Sequence, residues 1–206
     1  AFALPTHAQT TFGEQQIIQT SEADGANDVY AADLDGDGDS DILSASDIDS
    51  KIAWYANDGM GNFGAQRVIT TNVINPQAVY AADLDGDGDN DVLSASFWYD
   101  KIAWYENDGM GNFGIQQIIT TTAAAAQAVY ATDLDGDGDN DVLSASEYDN
   151  KIAWYENDGN GDFSAQQIIT TTADGAKDVY ATDLDGDGDN DVLSASYNDD
   201  KIAWYE

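Results

Sequence analysis

The segment Val-Tyr-Ala-x-Asp-Leu-Asp-Gly-Asp-Gly-Asp occurs four times at intervals of 50 residues, opening at Val29, Val79, Val129 and Val179. Each copy continues with Asp-Ile/Val-Leu-Ser-Ala-Ser and then Lys-Ile-Ala-Trp-Tyr. A repeat this regular makes the chain a series of one supersecondary unit, each burying its apolar faces on its neighbours. The second copy holds four β-type runs separated by turn residues: Ala78 to Leu84, Asp91 to Ser96, Lys101 to Glu106 and Gly114 to Thr121. Asn107-Asp108-Gly109-Met110-Gly111-Asn112 supplies the positive φ angles of a tight hairpin between the last two. Helix signals are absent throughout.

Apolar residues fall on both faces of the third run, with Ile102 and Trp104 on one and Ala103 and Tyr105 on the other. That pattern suits a sheet covered on both sides by other sheets. The expected fold is therefore an all-β propeller of four four-stranded blades, with Trp54, Trp104, Trp154 and Trp204 in the interblade core. A solenoid of stacked hairpins would call for atypical capping repeats, and none is visible. The last copy stops after its third strand, and Phe12 to Ile18 matches Phe63 to Ile69. Residues 12 to 20 are thus predicted to supply the outer strand of the blade ending at Glu206 and to close the ring. An eight-bladed ring shared by two chains is the other assembly this count allows.

Between the first two strands of each copy lies Asp-x-Asp-x-Asp-Gly-x-x-Asp. Carboxylates at alternate positions of a curled loop converge on one point, and hard oxygen donors at that density suit calcium. The predicted side-chain ligands are Asp33, Asp35, Asp37 and Asp41, with Asp39 contributing its backbone carbonyl. The equivalent sets are Asp83, Asp85, Asp87 and Asp91 with Asp89; Asp133, Asp135, Asp137 and Asp141 with Asp139; and Asp183, Asp185, Asp187 and Asp191 with Asp189. About four Ca²⁺, one per blade, are expected. An EF-hand would carry Glu at the twelfth loop position, which is Ser44 here, and would be flanked by helices. Magnesium prefers a smaller octahedral site with retained water. The plainer alternative, a solvated acidic turn, gives no reason for five aspartates in alternation four times over.

The formal charge of −34, from 40 acidic and 6 basic residues, loads a compact state with self-repulsion. Four divalent ions would bring it to −26. Such a surface repels phosphate backbones and anionic lipid headgroups, so nucleic acid and membrane insertion are not expected. No cysteine is present, so disulfides and thiolate sites are excluded. Residues 1–9 read as a signal-peptide remnant with a small-residue pattern ending at Ala8, an ordinary chain terminus being the alternative, and 10–206 as one propeller domain. The expected location is extracellular.

The aspartate loop, the Asp-Val-Leu strand after it and the Asn-Asp-Gly-x-Gly-x-Phe-Gly segment, as at Asn57 to Gly64, resemble the FG-GAP or VCBS repeat family. Its members include the integrin α-chain propeller and several extracellular lectins, and the resemblance spans residues 10 to 206. It implies a propeller with structural calcium in the hairpin between the first two strands, on an extracellular protein. Integrin-like members have seven blades and longer repeats, so the blade number here departs from theirs. The family does not specify a ligand.

The copies differ from one another mainly in the turns after the second strand: Asp47 to Ser50, Phe97 to Asp100, Glu147 to Asn150 and Tyr197 to Asp200. In a propeller these turns lie on the face opposite the aspartate loops. Phe97, Trp98, Tyr99, Tyr148 and Tyr197 there are candidate residues for stacking on a glycan or anchoring a protein ligand. Drift in solvent-facing turns explains the same variation. Nucleophilic catalysis has little to work with, since there is no cysteine and the only histidine is His7. A binding or scaffold module is expected rather than an enzyme, with a carboxylate-based glycosidase as the lesser alternative.

Overall fold

The computed structural model describes residues 13–19 and 21–206 and is all-β, with four antiparallel sheets in chain order. The first sheet is β1 (Ala26–Ala32), β2 (Asp41–Ser46), β3 (Lys51–Tyr55) and β4 (Arg67–Thr70). The second is β5 (Pro76–Ala82), β6 (Asp91–Ser96), β7 (Lys101–Tyr105) and β8 (Gln117–Thr120). The third is β9 (Ala126–Thr132), β10 (Asp141–Ser146), β11 (Lys151–Tyr155) and β12 (Gln167–Thr170). The fourth is β13 (Ala176–Thr182), β14 (Asp191–Ser196) and β15 (Lys201–Tyr205). Register repeats with the sequence: Leu43, Leu93, Leu143 and Leu193 each sit between the tyrosine of the first strand and the tryptophan of the third.

The outer strands are shorter than expected. Asn107 and Phe113 form an isolated bridge, and Gly114 N–H donates to the Glu106 carbonyl at 2.7 Å, so the hairpin stays a turn until Gln117.

Each pair of adjacent blades encloses one apolar layer. Leu34, Leu43, Ala45, Ile52 and Trp54 of the first blade meet Val79, Ala81, Val92 and Tyr105 of the second. The corresponding residues meet between the second and third blades and between the third and fourth. Close packing explains the glycine at 111. A Cβ there would come 2.3 Å from the Trp54 ring, and the residue also has φ of +73°. On the first strands, Tyr30, Tyr80, Tyr130 and Tyr180 make successive ring contacts at 4.4, 4.9 and 4.7 Å.

Two expectations at the ends of this series find no counterpart among the described residues. Residues 13–19 form no strand, and the fourth sheet has three strands, so the ring closure assigned to residues 12–20 is not seen; Phe12 and Thr20 lie outside the described residues, as does the leader assigned to 1–9. The physical difference is in chain closure. Each internal outer strand follows its partner through a short glycine hairpin, whereas the N-terminal segment would have to close a loop around the whole chain. Trp204, expected in the core, is half exposed, with no further blade over it among the described residues, while Trp54 and Trp104 are buried. Among the described residues no helix is long and apolar enough to cross a membrane.

Candidate metal centres and the opposite face

The aspartate loops join the first and second strands of each blade, and the glycine hairpins join the third and fourth at the same end. Within each loop the first aspartate caps the curl: Asp33 Oδ1 accepts from Gly36 N–H at 2.8 Å, and Oδ2 from Gly38 N–H at 2.9 Å. Positive φ at Gly36 and Gly38, +75° and +91°, permits that curl. The last aspartate is the anchor. Buried Asp41 accepts from Leu34 N–H at 2.9 Å and from Asn57 N–H at 2.8 Å, joining loop and hairpin. Asp91 does the same with Leu84 and Asn107, and Asp141 with Leu134 and Asn157.

Carboxylate oxygens converge in every loop to within 4.8 Å of one another. The sets are Asp33, Asp35 and Asp37; Asp83, Asp85 and Asp91; Asp133, Asp135 and Asp141; and Asp183, Asp185 and Asp191. These four clusters can hold a metal ion. Asp185 and Asp187 also approach Glu206, an arrangement the loop motif alone does not suggest. The fourth aspartate of each loop directs its carboxylate elsewhere: the Asp39, Asp89 and Asp139 carboxylates lie against Gly59, Gly109 and Gly159 of the hairpin. Asp37 belongs to its cluster, whereas Asp87, Asp137 and, in the main fourth cluster, Asp187 do not.

The clusters are electrostatically loaded. Burial, then the neighbouring Asp41 and Asp37 carboxylates, pushes the Asp35 carboxyl up, and its Oδ1 is buried without a hydrogen-bond partner. Burial, followed by Asp87, likewise raises Asp85. Burial pushes Asp91 up to about 7 and Asp141 up to about 6, against the lowering effect of their backbone donors. Buried anionic oxygens facing one another are the donor set of a hard cation site.

Interblade ties at this end escaped the sequence reading. Asn90, Asn140 and Asn190 each donate through Nδ2 to the first aspartate carbonyl of the preceding loop, at 3.0, 2.9 and 2.7 Å. Asn107 and Asn157 donate to the Leu34 and Leu84 carbonyls at 2.9 and 2.8 Å. Each of the first three loops is thereby held by the next blade. The available signal is the asparagine shared by Asn90, Asn140 and Asn190 at one position of three copies, where the first copy has Ser40.

The turns at the other end place the predicted aromatic residues unequally. Trp98, Tyr148 and Tyr197 are 62%, 64% and 73% exposed. Phe97 is partly buried and stacks edge-on against Trp98 at 4.8 Å and Tyr148 at 5.2 Å, so three of the five form one cluster. Tyr197 makes no ring contact with them. Tyr99 is engaged within its own blade, where its ring lies 4.8 Å from Lys101 Nζ. In the other copies the equivalent lysines Lys51, Lys151 and Lys201 pair with Asp49, Asp149 and Asp199 at 2.8, 2.7 and 2.6 Å. Tyr99 replaces that aspartate, and a cation–π contact replaces the ion pair.

Comparison with solved structures returns proteins that share this arrangement of sheets. A lectin from Agrocybe aegerita, solved for its recognition of non-reducing terminal N-acetylglucosamine, superimposes with a TM-score of 0.60 at 23% identity, over 84% of this chain and 50% of the lectin. An intramolecular trans-sialidase from Ruminococcus gnavus gives 0.59 at 15% identity, over 94% and 46%. The V. cholerae biofilm matrix protein Bap1 gives 0.54 at 24% identity, over 86% and 26%. The chain thus spans half or less of the length of these proteins, and at such identities the likeness is one of fold. Among curated proteins no significant sequence match is found. The FG-GAP-like repeat signature matches residues 33–94, 83–144 and 133–194, each match running from one aspartate loop through the next. With that signature across most of its length and the aspartate loops in its blades, the chain belongs to the FG-GAP-like repeat family.

Proposed function

We propose that this chain is an extracellular binding module whose blades are set by calcium and whose ligand, a glycan or a protein, docks on the turn face opposite the aspartate loops. The observation that carries the reading is the division of labour between the two ends. One end gathers buried, mutually repelling carboxylates, with Asp35 Oδ1 lacking any protein partner. The other exposes Trp98, Tyr148 and Tyr197.

One ion in each loop would be held by the first two aspartates with either the third or the last. It would supply charge neutralisation and a cross-link, not chemistry. Calcium suits the donor set better than magnesium because the oxygens come from a flexible loop and outnumber what a small octahedral ion takes. The location follows from the ion: millimolar extracellular calcium saturates even weak sites of this kind. Exposed aromatic rings beside Asp100, Asp149 and Asn150 combine a stacking surface with hydrogen-bonding groups, as sugar recognition requires. A lectin among the structural neighbours makes glycans the first ligand class to try. The blades repeat the same groups, whereas a catalytic site needs unlike groups in one place, which favours binding over turnover.

A glycan array probed in calcium, followed by titration calorimetry of any hit, tests the reading. Trp98→Ala with Tyr148→Ala should abolish binding while leaving the melting curve within about 2 °C, since both rings are exposed. Binding that survives the double substitution places the ligand elsewhere.

A further inference from the structure

We infer that the aromatic cluster where the turns of the second and third blades meet is a cage for an organic cation, a methylated ammonium group. The inference rests on the turn face being the binding face and adds the chemistry of what binds there. Phe97 is the partly buried floor. Trp98, from the same turn, and Tyr148, from the next blade, stand against it at 80° and 77°, both mostly exposed. With wall-to-floor centroid distances of 4.8 and 5.2 Å, one cation can come within about 6 Å of all three rings, the reach of a cation–π contact.

The fold already uses this chemistry. Arg67 lies 4.5 Å from the Trp54 ring and Lys101 Nζ lies 4.8 Å from the Tyr99 ring. The other four basic residues, Lys51, Lys151, Lys177 and Lys201, are paired with carboxylates. All six are thus engaged elsewhere and none fills the cluster, while 40 acidic residues give the molecule a field that draws cations in. The cation has to come from outside.

Asp100 supplies a charge at the site. Its Oδ1 accepts from Ala125 N–H at 2.8 Å, and the Ala124 carbonyl accepts from Tyr148 N–H at 3.1 Å, so the carboxylate stands at the seam between the two turns. One blade on, the neutral Asn150 makes the same bond, its Oδ1 accepting from Gly175 N–H at 3.0 Å, with φ of +58° against +51° at Asp100. The turn therefore does not need a charge at this position. Among the described residues Asp100 makes no ion pair. An unpaired carboxylate beside three rings completes a site for a cation rather than for a neutral apolar group.

The arrangement occurs at one junction. The residues equivalent to Phe97 and Tyr148 are Asp47 and Trp98 between the first two blades, and Glu147 and Asn198 between the last two. One cation per chain is expected. The same anionic field opposes any form of the group that also carries a phosphate.

NMR titration of the calcium-loaded chain with choline, at constant chloride, is the test. Choline should shift the Trp98 indole N–H resonance and saturate at one per chain. Its uncharged tert-butyl analogue, equal in shape, should bind about tenfold more weakly. Phosphocholine should also bind more weakly than choline. Asp100→Asn should keep the wild-type melting curve, as Asn150 indicates, and weaken choline about threefold, an effect that fades with added salt. Trp98→Ala with Tyr148→Ala should abolish choline uptake measured by calorimetry. Free choline and trimethyl-lysine within a peptide carry the group from its two sources, and the tighter of the two names the source. Equal affinity for choline and the tert-butyl analogue overturns the inference, and so does equal affinity for choline and phosphocholine. Choline uptake by the double variant, or an unmoved Trp98 resonance in excess choline, overturns it as well. A glycan that binds the wild type but not the double variant, with no response to choline, overturns this inference alone and leaves the turn face as the binding face.

Discussion

The two ends of a blade are built on the same strands but are constrained very differently. At the aspartate end almost every side chain has a structural partner: Asp41 ties loop to hairpin, and Asn90 and Asn107 tie blade to blade. At the turn end the backbone is equally regular, with positive φ at Ser50, Asp100, Asn150 and Asp200, yet the side chains differ from copy to copy. Sequence identity among copies therefore tracks contact.

The largest test of this contrast is removal of the metal. Chelation should lower the melting temperature by many degrees, because an ion at 100 times its dissociation constant contributes about 2.7 kcal/mol at each site that only the folded state offers. Magnesium should restore little of that loss. A melting curve unmoved by chelator would make the aspartate end a solvated turn and erase the contrast.

Next in size, the anchoring and encircling aspartates should separate once metal is absent. In chelator, Asp91→Ala should cost about 2 to 4 kcal/mol, since it leaves the Leu84 and Asn107 N–H groups buried without acceptors. Asp87→Ala should change stability by less than about 0.5 kcal/mol, its loss of a local turn bond being offset by relief of repulsion. Urea titration of both variants measures the difference, and equal costs would show that charge alone governs the loop.

A smaller effect concerns pH. Asp91 and Asp141, at about 7 and about 6 in the metal-free fold, stand above an unfolded carboxyl near 3.9. Between those values the folded state holds more protons than the unfolded one. The stability of the metal-free protein should therefore fall as pH rises from about 4 to about 7, and rise again on acidification. Calcium-loaded protein should behave oppositely in the same window, because protons compete with the ion for the carboxylates. Parallel pH profiles with and without calcium would contradict this.

The smallest effect is expected at the turn end. Tyr99→Asp should restore to Lys101 the ion pair its equivalents make, changing stability by about 0 to 1 kcal/mol in either direction. A loss well beyond that range would show Tyr99 to be a core residue rather than a substitute partner.

How far each feature was legible in advance depends on its range along the chain. Strand period, glycine turns and a 50-residue repeat are local or self-similar, and they led to blades and to the convergence of aspartates in each loop. Asp39 was expected to offer only its backbone carbonyl; alternation along a loop does not reveal that its carboxylate lies against Gly59 of the neighbouring hairpin. Tyr99 is exposed, as its place in the turn suggested, but its lysine partner becomes a neighbour only through the turn geometry.

The sequence alone therefore determined the blade, its metal-loop chemistry and the number of copies, since these follow from hydrogen-bonding period, turn conformation and charge spacing within some 50 residues. Tertiary structure decided which aspartates converge and which tryptophans are covered. Those outcomes rest on contacts between residues far apart in the chain. Identical repeats cannot encode them individually: Trp54 and Trp204 have the same local sequence, yet Trp54 is buried against the blade after it and Trp204 is half exposed.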